Sequence, residues 1–163
     1  MSARTCLIIA ACFGFSGVLM GAFGAHKLAG NKDGGYLQSK YEQLPDKVVA
    51  GHKLPAAYKY LQDYKTAVRY HMWHALALLA IGLHLNSSPS KSGRVAARCF
   101  VAGIILFSGS LYLLVIAGPR FLGIPWGAVT PLGGTLLLAG WVSTAVAFAK
   151  SNPADESSSA SNA

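Results

Sequence analysis

Charge is the scarcest thing in this chain. Only 12% of its 163 residues are Asp, Glu, Lys or Arg, against roughly 25% in an ordinary soluble domain. With six carboxylates in all, a charge-coated soluble globule is excluded. Cysteine is almost as rare. Cys6, Cys12 and Cys99 form no Cys-x-x-Cys pair, which removes zinc ribbons and a disulfide framework and leaves three small packing residues. There is no His-Glu-x-x-His, no Cys-x-x-Cys-His, no carboxylate inside any long apolar run and no aromatic-basic motif for nucleic acid. No internal repeat is present. These absences leave no catalytic constellation, and the chain is expected to be a non-enzyme with no metal and no cofactor.

What the chain has instead is apolar length. It is 53% apolar with a mean hydropathy of +0.41. Residues 5–25, 67–85, 95–118 and 131–149 are each close to the roughly 20 residues that a helix needs to cross hydrocarbon. Arg69 and Arg98 stand near the starts of the second and third runs, where long side chains reach the headgroups. The first run follows Arg4 and contains Ala22-Phe23-Gly24, which would pass as a signal-cleavage site. It is longer than a signal core, however, and its glycines are ordered. Gly14, Gly17, Gly21 and Gly24 fall within an arc of roughly 80° on one side of a helix, a stripe that admits a neighbouring helix. Gly103 and Gly109 on the third run, and Gly133 and Gly140 on the fourth, repeat the device. The expected fold is therefore all-α: one integral membrane domain over residues 1–150, with four transmembrane helices in an antiparallel bundle.

The connections differ in kind. Residues 86–93 and 118–129 are short and hold Gly, Pro or Ser, as antiparallel neighbours require. The link 26–66 is long. Gly30 to Gly35 opens it as a turn signal, and residues 56–70 read as an extra amphipathic helix, either lying at the interface or running straight into the second span. Six of the seven tyrosines, 36, 41, 58, 60, 64 and 70, lie before or at that entry and suit an aromatic belt. Residues 151–163, rich in Ser and Ala, are expected to be a disordered tail. The net charge of +8 is mainly topological. Nine of the fourteen Lys/Arg lie in the long link or share its side, but diluted among acids. Lys91, Arg94 and Arg98 crowd one short turn and favour cytosolic termini.

Histidine is where chemistry could sit. Threading four antiparallel spans brings His26, His71 and His74 to one membrane face, with Tyr112, Thr130 and Trp126 in the same layer. Imidazoles at the edge of hydrocarbon need partners. They either brace helices through hydrogen bonds, relay protons or solute, or ligate metal or haem. His84 reads as an ordinary interfacial residue and His52 as a loop residue. Ser108 and Ser110 place hydroxyls in mid-membrane, where each must bond a carbonyl or another helix. Thr130-Pro131 reads as the capped start of the fourth span, a helix N-terminus with room for an anion or a carbonyl.

The motifs Gly21-Ala-Phe-Gly-Ala-His26, Tyr70-His-Met-Trp-His74, Leu106-Phe-Ser-Gly-Ser-Leu-Tyr112 and Thr130-Pro-Leu-Gly-Gly134 with Ala139-Gly-Trp141 resemble the domain-of-unknown-function 423 family. That family takes in small bacterial inner-membrane proteins and the animal transmembrane protein 256. The resemblance covers all four spans in order and departs from the pattern in the long link and the tail. It implies a multi-pass membrane protein and supplies no activity. The expected partners are the lipid bilayer, and either further copies of the chain or another membrane protein.

Overall fold

The computed structural model describes residues 1–30 and 35–150; the expected tail at 151–163 and most of the turn at 30–35 lie outside them. Five helices carry the fold: α1 (Ala3–Phe23), α2 (Tyr36–Tyr41), α3 (Ala56–Ser87), α4 (Lys91–Ile116) and α5 (Trp126–Ala149). Helix α1 starts where Ser2 caps it, its hydroxyl accepting from Thr5 N at 3.1 Å. It ends in a wide π turn, Gly24–Leu28, closed by Ala29 N donating to Gly24 O at 3.0 Å.

Three helical stretches among the described residues are long and apolar enough to cross a membrane: Ala3–Leu28, Lys91–Ile116 and Trp126–Ala149. Helix α3 is the longest, at 32 residues, yet it is not one of these. Its first half carries Lys59, Asp63, Lys65, Arg69 and His71, and its second half carries His74 and His84, so no membrane-length stretch of it is purely apolar. The amphipathic segment at 56–70 and the expected second span are one unbroken helix.

The long link contains structure that the hydropathy pattern does not announce. Two short strands, β1 (Lys47–Val49) and β2 (His52–Leu54), pair antiparallel with Val49 opposite His52, so the chain is not purely helical. Ala50 and Gly51 between them both have positive φ, 50° and 82°, as a two-residue hairpin turn requires.

Helix contacts run through small residues. Gly82 of α3 faces Cys6 and Leu7 of α1, Gly17 faces Met72, and Gly24 lies under the Tyr64 ring. Between α4 and α5, Gly103 meets Leu137 and Gly140 meets the Phe100 ring. The tightest approach is at Gly133, where an added Cβ would lie 2.7 Å from Phe107 Cα, a backbone atom. Gly21 makes an ordinary contact with Val68. Gly14 and Gly109 depart from expectation: a Cβ on either would meet nothing within 4 Å. The helices stay together on either side, Phe13 and Gly17 meeting α3 and Ser108 and Ser110 meeting α3 and α5, so these two glycines turn to open space within a continuing interface.

Two apolar clusters result. One gathers Cys6, Ala10, Leu78, Ile81, Phe100, Ile104 and Leu137; the other gathers Leu28, Leu37, Tyr41, Tyr60, Tyr64 and Val115. Along α3 the buried members of the first begin at Leu78 and those of the second end at Tyr64. The polar side chains lie between.

Candidate functional site: the histidine layer of α3

Because α3 begins at Ala56, His71 and His74 lie in the middle of a long helix, not near the start of a short one. Both are buried, each 5% exposed. They stand three apart but face different neighbours.

His74 is clamped at both ring nitrogens. Its Nδ1 lies 2.7 Å from the Tyr70 carbonyl, which can only accept, so Nδ1 carries the proton. Its Nε2 is then the acceptor, and the Trp141 indole N–H of α5 donates to it at 3.2 Å. Trp141 also meets His74 edge-on, with ring centroids 6.1 Å apart. The result is one neutral tautomer with neither nitrogen free.

His71 joins α3 to α1 and α4. Its Nε2 lies 3.4 Å from Ser16 Oγ, and that hydroxyl donates to Phe13 O at 3.2 Å. With the serine proton so committed, Nε2–H is the donor. Its Nδ1 then accepts from the Tyr112 hydroxyl at 3.3 Å. The Phe13 ring packs edge-on at 5.4 Å.

The hydroxyls of Ser108 and Ser110 are taken up in the same region. Ser108, 1% exposed, donates across helices to Ala67 O at 2.9 Å. Ser110 sits 2.8 Å from Thr130 Oγ1, linking α4 to α5, and also bonds Phe107 O. Thr130 is not the cap of α5. The helix starts a turn earlier, at Trp126, whose indole donates to Phe121 O at 2.9 Å; Thr130 lies inside it, bonded back to Trp126 O at 3.3 Å. Pro131 is therefore an interior proline. It removes one ladder bond, a loss that transmembrane helices absorb within the first turns. The anion-receiving helix end expected at Thr130 does not exist there.

His26 does not join the layer. It is exposed, in the π turn at the end of α1. A Cβ on Gly17 would lie 3.7 Å from the His71 ring, so His26, nine residues further on, is about 13 Å along the axis from that level. The expectation of a shared three-histidine face took the second span to begin near residue 67, and the longer α3 removes it. Among the described residues no three His, Cys, Asp or Glu side chains come together as a metal-binding group. Trp126 likewise lies at the start of α5, below the layer. His84 packs edge-on against Phe148 at 4.8 Å, its buried Nε2 without a hydrogen-bond partner among the described residues. His52 is exposed on the hairpin.

A second polar assembly escaped the sequence reading. Helix α2 places Tyr36, Lys40 and Tyr41 over the C-terminal end of α4. The Tyr41 hydroxyl donates to Val115 O at 2.9 Å, the Tyr36 hydroxyl to Ile116 O at 3.2 Å, and the Lys40 ammonium to the same Ile116 carbonyl. The last carbonyls of a helix have no partner within it, and a cation there also suits the helix dipole. Burial, together with Tyr60 and Tyr36 nearby, pushes the Tyr41 hydroxyl up to about 12. The signal was present as Tyr36 to Tyr41 at i, i+4 and i+5, and was absorbed into an aromatic belt.

A groove of about 550 Å³ opens beside the clamp, lined by Tyr70, Trp73, His74, Phe107, Leu138 and Trp141 among others. Its polar groups are already engaged: Trp141 bonds His74, and Thr135 bonds Leu132 O at 2.8 Å.

The family described as protein of unknown function (DUF423) matches residues 20–134, which hold both histidines, Ser108, Tyr112 and Thr130. The chain belongs to this family. Relatives of similar length carry names from one set. It is 37% identical over 146 residues to the UPF0382 membrane protein YwdK of Bacillus subtilis, covering 88% of this chain and 95% of that one. It is 35% identical over 145 residues to a UPF0382 membrane protein of Haemophilus influenzae, covering 89% and 94%. To the UPF0382 inner membrane protein YgdD of Escherichia coli it is 33% identical over 141 residues, covering 86% of each. No solved structure matches. With its apolar helices and these relatives, the DUF423 chain is a multi-pass integral membrane protein of an uncharacterised family.

Proposed function

We propose that this DUF423 protein is a structural or accessory membrane component without enzymatic activity: an antiparallel bundle of four spans in which α3 is the fourth. The observation that carries the reading is the clamp on His74. An imidazole with both nitrogens engaged, one to its own helix and one to α5, is a brace. Supporting it, His71 reaches α1 and α4 from the same helix, so α3 is tied to every other long helix through two residues. A polar helix accommodated in lipid by turning its histidines inward is also what allows α3 to cross despite its lower apolarity. The contacts of Cys6 with Leu78 O at 3.3 Å and of Tyr64 with Met20 O at 2.8 Å fit opposed directions for α1 and α3. Ser108–Ala67, Phe100–His74 and Gly93–Leu85 fit the same for α3 and α4, and Gly103–Leu137 and Gly140–Phe100 for α4 and α5. Readings as a solute path or a redox centre draw on the same residues, but their hydroxyls and ring nitrogens are already committed to protein partners.

The test is Trp141→Phe, which keeps the ring and removes the donor. Thermal melting in mild detergent should fall by the equivalent of about 0.6–1.7 kcal/mol, the range measured for hydrogen bonds between membrane helices. The wild-type sample should show no visible absorption band and no stoichiometric metal. An unchanged midpoint, or a haem or metal band lost on substituting His74, contradicts the proposal.

A further inference from the structure

We infer that the groove between the end of α1 and the first half of α3 binds an anionic phospholipid, its phosphate held between Lys65 and Arg69 and an acyl chain lying along Gly21 and Val68. The groove measures about 360 Å³ and is lined by Gly21, Gly24, Ala25 and Ala29 of the α1 end with Tyr64, Lys65, Val68 and Arg69 of α3. Its floor is apolar because α1 presents almost no side chain there, and Tyr64, 1% exposed, closes it from below.

Its charge is one-sided. Lys65 and Arg69 are exposed one helical turn apart. The single ion pair among the described residues joins Lys59 to Asp63, so the nearest carboxylate on α3 is already taken. Arg69 lies over the Trp73 ring, 5.9 Å from its centroid, and lines the groove.

Depth is the third observation. The apolar stretch of α1 ends at Leu28, and on α3 no Asp, Glu, Lys or Arg follows Arg69 before Ser87. The two cations therefore mark the level at which both helices leave hydrocarbon, where a phosphate belongs and a chain can descend beside them. A soluble anion would satisfy the charges and leave the apolar floor unused; a lipid uses both.

The test measures binding of 1-palmitoyl-2-oleoyl phosphatidylglycerol and of the matching phosphatidylcholine to the full chain in mild detergent by native mass spectrometry. Phosphatidylglycerol should bind at least about 10-fold more tightly, and Lys65→Gln with Arg69→Gln should lower its affinity by about 30-fold, the effect of two cations near an anionic headgroup. Ala25→Trp, which fills the floor and keeps the charges, should also weaken it. Lys91→Gln with Arg94→Gln removes the same charge elsewhere and should leave it unchanged. Equal binding of the two lipids, equal losses in the two charge pairs, or displacement of phosphatidylglycerol by millimolar inorganic phosphate would overturn the assignment.

Discussion

Replacing Gly133 with alanine adds one carbon against backbone. An ideal Cβ would sit 2.7 Å from Phe107 Cα and 2.8 Å from Leu106 C, whereas carbon atoms settle at about 3.5–4.0 Å. No rotamer of Phe107 relieves this, so α4 and α5 must separate by about 1 Å. Overpacking of that kind costs about 1–3 kcal/mol. Separation also strains the link between Ser110 and Thr130, 2.8 Å long and less than a turn from the contact. The matched control is Gly109→Ala on α4, where the new carbon meets nothing within 4 Å and helix propensity favours alanine. The two variants carry the same chemical change, so composition and detergent effects cancel. At roughly 2–4 °C per kcal/mol for a chain of this size, Gly133→Ala should melt several degrees below Gly109→Ala in the same detergent. Coincident melting curves would refute the close backbone approach of α4 and α5.

Other consequences follow from individual contacts. Ser108→Ala leaves the buried Ala67 carbonyl without its partner at 2.9 Å and should lower detergent stability by about 1 kcal/mol, measured by chemical unfolding; Ser110→Ala, whose neighbour Thr130 keeps the Trp126 carbonyl, should cost less. Gly17→Ala meets the flexible end of Met72, with Cγ at 3.2 Å, and should be tolerated, whereas Gly17→Leu should wedge α1 from α3. Alkaline stability should report on the α2 cap. The Tyr41 hydroxyl sits at about 12 in the folded protein against about 10 in the unfolded chain. A raised value means the folded state holds the proton longer, so this contribution is complete below pH 10 and is lost between pH 10 and 12. At 4% exposure, two units correspond to on the order of 2–3 kcal/mol. The melting midpoint should fall across that window in the wild type, and should fall by less in Tyr41→Phe; identical profiles would remove the cap.

The parts of this fold visible in the sequence are those set by composition over long windows. The apolar runs behind α1, α4 and α5 are legible because crossing hydrocarbon demands length, and length is easy to read. The glycine stripes gave the right faces and two wrong members, Gly14 and Gly109, because a stripe fixes an angle only coarsely: Phe13 and Gly17 meet α3 around Gly14, and Ser108 and Ser110 meet α3 and α5 around Gly109, while the two glycines face open space. Gly82, against Leu7 and Cys6, went unread for the opposite reason: it stands alone. The histidine layer was misplaced by a single boundary. Pro55 signalled a helix start, but the charged residues after it fitted an interfacial segment as well as a run straight into the second span, and hydropathy does not say whether two consecutive segments share an axis. Thr130 failed in a similar way. Threonine before proline is a strong cap signal, yet Pro125-Trp126 supplies a start one turn earlier, pinned by an indole bond to Phe121 that local sequence does not reveal. The hairpin at 47–54 and the α2 cap are short, and their stabilising partners lie far off in the chain. Tyr41 bonds Val115, 74 positions away.

The central claim is that α3, the least apolar of the long helices, crosses the membrane beside α1, α4 and α5. In a cysteine-free background, a single cysteine at Gly51, in the hairpin before α3, and another at Ser88, just after it, report on the two ends. Labelling with an impermeant maleimide in sealed vesicles of known orientation should reach one of them from outside and the other only after the vesicles are opened. Labelling of both from the same side would show that α3 does not cross, and the four-span bundle would fall with it.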